Sequence, residues 1–250
     1  ARGKLEPRRV ASEVLGNDRQ VTVYTPPGYS PKGPPYPLLV LFDEEDYLNI
    51  LGAAATLDNL TADRKIPPHV AMLVGNAPGE ARAKELPCNP DFARYLSEEL
   101  VPWVRREYTV ASDPARTIIG GLSYGALAAA CAAFRHPELF GNVLSQSGSY
   151  WHPGPEPPKP APKDPYAEPN HVARLFAESP RLPLRFYLDA GSDELDYSAR
   201  GGSILIPNRH LRDVLRAKGY AIRYQEFLGG HDYLSWRGTL ADGLMFLAIP

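Results

Sequence analysis

The residues whose types and spacing bear most directly on chemistry are those of a Gly-x-Ser-x-Gly segment around Ser123. An apolar, β-branched run over 117–122 leads into this segment, and an alanine-rich run over 126–134 follows it. This order predicts a strand, a tight turn and a helix, which is the context of a nucleophilic serine held in strained backbone geometry. Gly121 and Gly125 are the small neighbours that such a turn needs. We therefore predict that Ser123 is a catalytic nucleophile, the alternative being a plain glycine-rich turn.

A nucleophilic serine needs a base to take up its proton, and the base needs an acid to orient it. His231 is the best candidate for the base, because it follows the last predicted strand and two glycines would let its loop reach back to the serine. For the acid, Glu194 is the first choice and Asp193 the second, both in an acidic turn after the preceding strand. A solvated turn without a catalytic role is the alternative. The remaining histidines fit surface or capping positions: His69, His136, His152, His171 and His210.

Acyl transfer also needs hydrogen-bond donors that stabilise an oxyanion. One donor is expected to be the backbone N–H of Tyr124, directly after the serine. The other is expected in the loop after the 38–42 strand, with Glu44 as the candidate. That loop carries four consecutive carboxylates over 43–46. Their repulsion of a developing negative charge would have to be screened or offset.

The elements that must position these side chains alternate between strand and helix patterns. Wholly apolar runs over 38–42 and 70–74 are typical of buried parallel strands, whereas 10–15 and 21–25 indicate an antiparallel pair. Further strands are predicted over 142–146, 184–190 and 221–227. Helices are predicted over 49–60, from Asn89 to about Tyr108 with a bend or break near Pro102, and over 208–218 and 236–249. The alternation predicts an α/β fold with a mostly parallel central sheet and helices on both faces.

Length and charge restrict the class of protein. The 250 residues suit a single domain over 1–250 with a large core. A net charge of −2 gives no general attraction to nucleic acid, and no apolar run is long enough to span a bilayer. We therefore expect neither binding to nucleic acid nor insertion into a membrane. The chain begins at Ala1 without an initiator Met and without a hydrophobic signal core, so a cytoplasmic location is expected, with export of a processed form left open.

The two cysteines, Cys88 and Cys131, do not form a redox or metal-binding motif. They are predicted to be two free thiols rather than one disulfide, and Cys131 is expected inside a helix. No metal and no cofactor are expected.

A proline-rich segment covers 153–165, where seven of thirteen residues are proline. This composition excludes a regular helix or a central strand and predicts an extended surface loop. The loop is either a plain connector or a lid over the active site.

Four blocks of sequence stand out when they are considered together: 82–89 (Arg-Ala-Lys-Glu-Leu-Pro-Cys-Asn), 121–125 (Gly-Leu-Ser-Tyr-Gly), 140–151 (Phe-Gly-Asn-Val-Leu-Ser-Gln-Ser-Gly-Ser-Tyr-Trp) and 229–238 (Gly-Gly-His-Asp-Tyr-Leu-Ser-Trp-Arg-Gly). Together they resemble the enterochelin esterases, the ferric catecholate-siderophore trilactone hydrolases in the esterase D group of the α/β-hydrolases. The second and fourth blocks are typical of the whole group, and the first and third are particular to the siderophore esterases. The resemblance extends from about Val10 to the end of the chain.

This resemblance implies an α/β-hydrolase fold and a cofactor-independent serine esterase that hydrolyses ester bonds of a catecholate siderophore trilactone to release iron. It implies that Ser123 and His231 form the working pair, and that Glu194 occupies the position of the acidic member. Where the relatives usually carry glycine after the first Asp of the loop, this chain has Glu44, which puts the second oxyanion donor in doubt. Larger members also carry an N-terminal siderophore-binding domain, so this chain would correspond to the catalytic domain alone.

The implied small-molecule substrate, a ferric tris-catecholate, is strongly anionic, so cations are expected near the serine. Arg82 and Lys84 lie in the first block and Arg237 in the fourth, with solvated surface charges as the alternative. Trp151 and its neighbour Tyr150 would offer aromatic faces to catechol rings, unless they are ordinary core residues. Two rivals remain: a general esterase D-type carboxylesterase for feruloyl, short acyl or thioester substrates, and a siderophore-binding protein with a degraded esterase site.

Overall fold

The computed structural model describes residues 1–155, 170–195 and 202–249. Eight strands of these residues form one sheet: β1 (Lys4–Ser12), β2 (Asn17–Thr25), β3 (Leu38–Phe42), β4 (Val70–Val74), β5 (Thr117–Leu122), β6 (Asn142–Gln146), β7 (Arg185–Gly191) and β8 (Ala221–Phe227). Their order across the sheet is β1-β2-β4-β3-β5-β6-β7-β8. The pairs β1–β2 and β2–β4 are antiparallel and the remaining pairs are parallel. This is the α/β-hydrolase fold, and the predicted fold class is confirmed.

The central strands are apolar along their whole length because both faces of the sheet are covered. Successive side chains of a strand point to opposite faces, and those of β3 divide accordingly between two hydrophobic cores. Leu38, Val40 and Phe42 belong to one core, and Leu39 and Leu41 to the other. Every residue of β3 and β4 is buried. The short apolar runs of the sequence are therefore explained by burial on both sides.

Eight α-helices of the described residues flank the sheet: α1 (Ala53–Ala62), α2 (Ala81–Glu85), α3 (Pro90–Arg94), α4 (Val101–Glu107), α5 (Tyr124–Arg135), α6 (His171–Glu178), α7 (Leu205–Ala217) and α8 (Tyr233–Leu247). Buried residues of α1 and α8 pack into one core, and those of α3 to α7 pack into the other. Helices thus cover both faces, as predicted. None of the helices in the described part of the chain is long and apolar enough to cross a membrane.

The predicted helix from Asn89 to Tyr108 consists of three consecutive pieces. The Asn89 side chain accepts a hydrogen bond from the backbone N–H of Asp91 at 2.8 Å, which caps α3. A π-helical turn over Tyr95–Leu100 then separates α3 from α4. Pro102 follows this turn and has no N–H to donate to the preceding turn of helix, which explains a change of winding at this point.

One predicted helix differs from the structure in extent. The predicted 49–60 helix begins earlier, with a π-helical turn over Asp46–Ile50, and Gly52 at φ 68° separates that turn from α1.

Helix α6 was not predicted, since it is short and lies close to the proline-rich segment. The structure does not describe residues 156–169, so most of the proline-rich segment, from 156 to 165, lies outside the described residues, and so does the prediction of a lid.

The two cysteines form a disulfide, so the prediction of two free thiols is wrong. Cys88 follows α2 and Cys131 lies in α5, and their Cα atoms are 5.3 Å apart. A separation of 43 residues in sequence, without a recognisable motif, gave no indication that the fold would bring them together. The cross-link joins the segment that carries Arg82 to the helix that follows Ser123.

Removing this cross-link is expected to destabilise the protein without unfolding it. Closing a 43-residue loop in the unfolded chain corresponds to about 4 kcal/mol of loop-closure entropy, and measured disulfides commonly contribute about 2–4 kcal/mol. The double variant Cys88→Ala/Cys131→Ala should lose an amount in that range in the free energy of unfolding, measured by urea denaturation. Cys88→Ala alone should lose about as much. A change below about 0.5 kcal/mol in the double variant would contradict the stabilising role.

Candidate active site

Ser123 lies in the sharp turn between β5 and α5. Its backbone has φ 55° and ψ −115°, a conformation that side-chain-bearing residues rarely adopt. Its N–H donates to the carbonyl of Gln146 on β6 at 2.9 Å, which anchors the turn to the sheet. A Cβ on Gly121 would come within 2.6 Å of the Gly125 backbone, so the turn closes only with glycine there. The strand, turn and helix predicted around the serine are present, and the strain is located at the serine itself.

Ser123, His231 and Glu194 form a hydrogen-bonded line. The Nε2 atom of His231 lies 3.0 Å from the Oγ of Ser123, and its Nδ1 lies 2.6 Å from Oε1 of Glu194. Glu194 is buried, and its other oxygen accepts the backbone N–H of Gly191 at 2.7 Å. The neighbouring Asp193 is exposed and lies outside this line. Of the two acids considered from sequence, the structure therefore brings Glu194 to the histidine.

The acid and the histidine reach each other because two loops meet at the same edge of the sheet. Glu194 lies in a single 3₁₀ turn directly after β7, and His231 lies between β8 and α8. A Cβ on Gly191 would come within 2.2 Å of the Gly229 carbonyl, so the two loops are in backbone contact. The N–H of Asp193 donates to that same carbonyl at 3.1 Å. Asp193 thus holds the loops together through its backbone.

Trp236 supports the histidine, a role that the sequence did not reveal. Its ring packs edge-on against the His231 ring, with the centroids 4.7 Å apart. The indole N–H donates to the Ser147 hydroxyl at 2.8 Å, and the N–H of Ser147 donates to Asp189 at 3.2 Å. Burial raises the pKa of Asp189 to about 7. Position alone, five residues after the histidine, could have drawn attention to Trp236, but its contacts depend on β6 and β7.

A second serine lies beside the first. The Oγ atoms of Ser149 and Ser123 are 3.2 Å apart, and Ser149 follows β6 in the loop that carries Trp151. Both serines lie in the wall of one open cleft of about 370 Å³. The described residues that line the cleft are Asp46, Arg82, Leu122, Ser123, Tyr124, Ser149, Trp151, His231, Tyr233 and Trp236.

The residues considered as oxyanion donors lie at the start of α5 and directly after β3. Tyr124 is the first residue of α5, so its backbone N–H belongs to the amino-terminal turn of that helix. Asp43, and not Glu44, takes the left-handed conformation after β3, at φ 60°. The Glu44 carboxylate is buried and accepts hydrogen bonds from the side chains of Gln20, at 2.8 Å, and Thr22. Its charge is thus bound on the side of β2 and does not enter the cleft lining.

Of the five residues considered for substrate binding, the structure places two in the cleft. Trp151 and Arg82 line it. Lys84 is exposed, pairs with Glu80 at 3.0 Å and lies outside the cleft lining. Arg237 is exposed on α8 and also lies outside that lining. The expectation that Lys84 and Arg237 face the serine is therefore corrected, because the helices that carry them direct these side chains to solvent.

Arg82 is held by a buried carboxylate. Its Nε and Nη2 atoms donate to the two oxygens of Asp43 at 2.7 and 2.8 Å, and Asn76 donates to the same carboxylate at 2.7 Å. The guanidinium also lies over the Tyr124 ring, 5.6 Å from its centroid. Tyr150, the other aromatic residue considered for catechol contact, is fully buried and donates to the Ser145 hydroxyl at 2.7 Å. Tyr150 is thus a core residue.

Among the described residues, one group has ligand atoms close enough to hold a metal. The sulfurs of Cys88 and Cys131 and a ring nitrogen of His171 lie within 4.8 Å of one another. Because the two sulfurs are bonded to each other, they are not available as thiolate ligands. The group lies apart from the residues that line the cleft.

The arrangement around Ser123 can perform nucleophilic acyl transfer. A neutral imidazole that donates its Nδ1 proton to a carboxylate presents an acceptor at Nε2, which is the atom facing the serine hydroxyl. The Glu194 carboxylate accepts the proton on Nδ1 and so favours this one tautomer. The geometry is that of a serine, base and acid in a catalytic triad.

Several proteins of known function or known structure are similar to this chain. The Iron(III) enterobactin esterase of Dickeya dadantii is 33% identical over 94% of this chain and 53% of its own length. That of Escherichia coli K12 is 34% identical over 96% of this chain and 56% of its own length. The enterobactin esterase of Shigella flexneri, crystallised in the presence of enterobactin, has a TM-score of 0.82 at 32% identity, covering 98% of this chain and 58% of that one. The chain thus spans little more than half the length of these relatives.

A family match covers nearly the whole chain. The family described as "Putative esterase" matches residues 12–247. The matched span begins at the last residue of β1, ends at the last residue of α8 and includes Ser123, Glu194 and His231. On this match and on the α/β-hydrolase fold, the chain belongs to this esterase family.

Proposed function

We propose that this chain is a serine esterase that hydrolyses the ester bonds of a catecholate siderophore trilactone. The observation that carries the proposal is the hydrogen-bonded line from Ser123 through His231 to the buried Glu194, at the wall of an open cleft. The substrate class is supported by the similarity to enterobactin esterases over nearly the whole of this chain. Trp151 in the cleft wall offers an aromatic face of the kind that packs on a catechol ring.

The reaction begins with attack of the Ser123 hydroxyl on a lactone carbonyl, while Nε2 of His231 takes up the hydroxyl proton. Glu194 keeps the imidazole in the required tautomer and stabilises the imidazolium that forms. Collapse of the tetrahedral intermediate breaks the ester C–O bond, and His231 returns the proton to the departing alcohol of the substrate. Water then attacks the acyl-enzyme with His231 again as base, which releases the acid and restores the Ser123 hydroxyl.

The oxyanion formed in each half of the reaction is assigned to two backbone donors. The N–H of Tyr124 at the amino-terminal turn of α5 is one, and the N–H of Glu44 after β3 is the other. Glutamate at position 44 is compatible with this role, because its backbone is not left-handed and its carboxylate is bound to β2. The loss of glycine at this position therefore gives no reason to expect a degraded site.

Substrate preference tests the proposed function. Purified protein should hydrolyse enterobactin, supplied both iron-free and as its ferric complex, and mass spectrometry should detect the linear products. For the better of the two forms, we expect kcat/KM to exceed that for p-nitrophenyl acetate on the order of 100-fold, because binding of the remote catechol arms contributes to the transition state.

Two outcomes of this experiment would contradict the proposal. Efficient hydrolysis of p-nitrophenyl acetate or a feruloyl ester together with slow hydrolysis of both trilactone forms would indicate a general carboxylesterase. Binding of the trilactone without hydrolysis above background would indicate a binding protein.

A further inference from the structure

The four carboxylates that follow β3 have different environments, and one of them faces the substrate cleft. Asp43 is buried against Arg82, and Glu44 is buried against the side chains of β2. Glu45 is exposed and lies outside the lining of the cleft. Asp46 is half-buried and lines the same cleft as Ser123. The proposed reaction gives Asp46 no role.

The surroundings of Asp46 disfavour negative charge. Burial and the nearby charge of Asp43 raise the pKa of Asp46, and Glu45 acts in the same direction. A hydrogen bond from Tyr233 and the charge of Arg82 oppose this rise without cancelling it. A cleft wall that disfavours the charge of its own carboxylate also disfavours an anionic group of a ligand placed against it.

Arg82 does not reverse this balance. Among the described residues that line the cleft, it is the one with a permanent positive charge, and both oxygens of the buried Asp43 already bind it. The bidentate pair is close to neutral as a unit, so Asp46 stands as an additional negative charge beside it. These residues therefore do not give the cleft the net positive charge that a site for a polyanion needs.

The ferric and iron-free forms of a catecholate trilactone differ in net charge, and a carboxylate in the cleft wall interacts differently with each. In the ferric complex, six deprotonated oxygens around one Fe³⁺ leave three net negative charges. In the iron-free form at neutral pH the catechols are largely protonated, and each hydroxyl can donate a hydrogen bond to a carboxylate. A carboxylate in the wall attracts the second form and repels the first.

We propose that Asp46 is a specificity-determining residue that makes this cleft select the iron-free trilactone over its ferric complex. The inference rests on the proposed function and specifies the form of the substrate. It differs from what the names of the Iron(III) enterobactin esterases say of those relatives.

The test compares kcat/KM for iron-free and ferric enterobactin in the wild type, in Asp46→Asn and in Glu45→Gln. The wild type should prefer the iron-free form, and Asp46→Asn should raise the ferric to iron-free ratio on the order of tenfold at low salt. Glu45→Gln removes the same charge one residue away, outside the cleft lining, and should change the ratio less than about twofold. The effect of Asp46→Asn should shrink when the ionic strength is raised, since screening weakens a charge effect.

The outcomes are distinguishable from those of the proposed function. A wild type that hydrolyses the ferric complex as fast as the iron-free form, or faster, retains the proposed function and overturns this inference. An equal change of the ratio in Asp46→Asn and Glu45→Gln overturns it as well, because it would indicate a general charge effect. A protein that hydrolyses neither form overturns the proposed function and this inference together.

Discussion

Replacement of Ser123 by alanine is expected to lower kcat for ester hydrolysis by about 10⁴-fold or more, because it removes the hydroxyl that is hydrogen-bonded to Nε2 of His231 and that forms the acyl-enzyme in the proposed reaction. Residual catalysis would come from the oxyanion donors and from substrate binding. Steady-state hydrolysis of enterobactin and of p-nitrophenyl acetate measures the loss, and both substrates should be affected alike. Ser123→Ala should still bind the trilactone, because the cleft keeps its shape. Quenching of tryptophan fluorescence measures this binding.

The chain offers a matched control in Ser149, whose hydroxyl lies 3.2 Å from that of Ser123. It lines the same cleft, but Nε2 of His231 is hydrogen-bonded to Ser123, so Ser149→Ala should lower kcat by no more than about tenfold. Both variants should show cooperative thermal unfolding close to that of the wild type. Loss of activity in Ser149→Ala with activity retained in Ser123→Ala would show that the nucleophile has been assigned to the wrong serine.

The variant Glu194→Gln is expected to lower kcat by about 10³–10⁴-fold at neutral pH, while the fold stays intact. The Gln carbonyl can still accept the Gly191 N–H that Glu194 accepts at 2.7 Å, which turns its NH₂ group towards Nδ1 of His231. An imidazole that accepts at Nδ1 carries its proton on Nε2, and that nitrogen can no longer take the proton of Ser123. Stopped-flow and steady-state hydrolysis of p-nitrophenyl acetate measure the effect on the acylation step.

Asp193→Asn is the matched control for this prediction, because it removes an adjacent carboxylate that is exposed and outside the triad. We expect its kcat to change less than about twofold. The backbone N–H of residue 193, which donates to Gly229, is unaffected by the substitution. Equal losses in the two variants would indicate that the acidic turn acts through its overall charge, and would remove the reason for assigning the acid to Glu194.

The parts of the site that could be predicted from sequence are those that depend on local order along the chain. An apolar run, a glycine-flanked serine and an alanine-rich helix already specify the turn around Ser123, because the turn needs small neighbours within a few residues. The order of serine, acid and histidine similarly follows from which strands end at the same edge of a parallel sheet. For this reason the sequence predicts Glu194 and His231, which the structure places 2.6 Å apart.

The parts that could not be predicted depend on pairs that are distant in sequence. Nothing near Arg82 indicates that its partner is Asp43, 39 residues away, so its charge appeared available for a ligand. The contact of Trp236 with Ser147 spans 89 residues and requires β6 and α8 to be placed first. The disulfide could not be predicted for the same reason, since Cys88 and Cys131 come together only after α5 has packed beside the segment that follows α2.

The rate at which the disulfide is reduced can report on opening of the structure around it. Cys88 and Cys131 are only 2% and 3% exposed, so an external thiolate cannot reach either sulfur while the surrounding core is closed. Reduction by an added thiol must therefore wait for an opening either of α5, the helix that begins directly after Ser123, or of the segment after α2 that carries Cys88. The rate at which the bond is reduced under native conditions thus measures how often this region beside the active site opens.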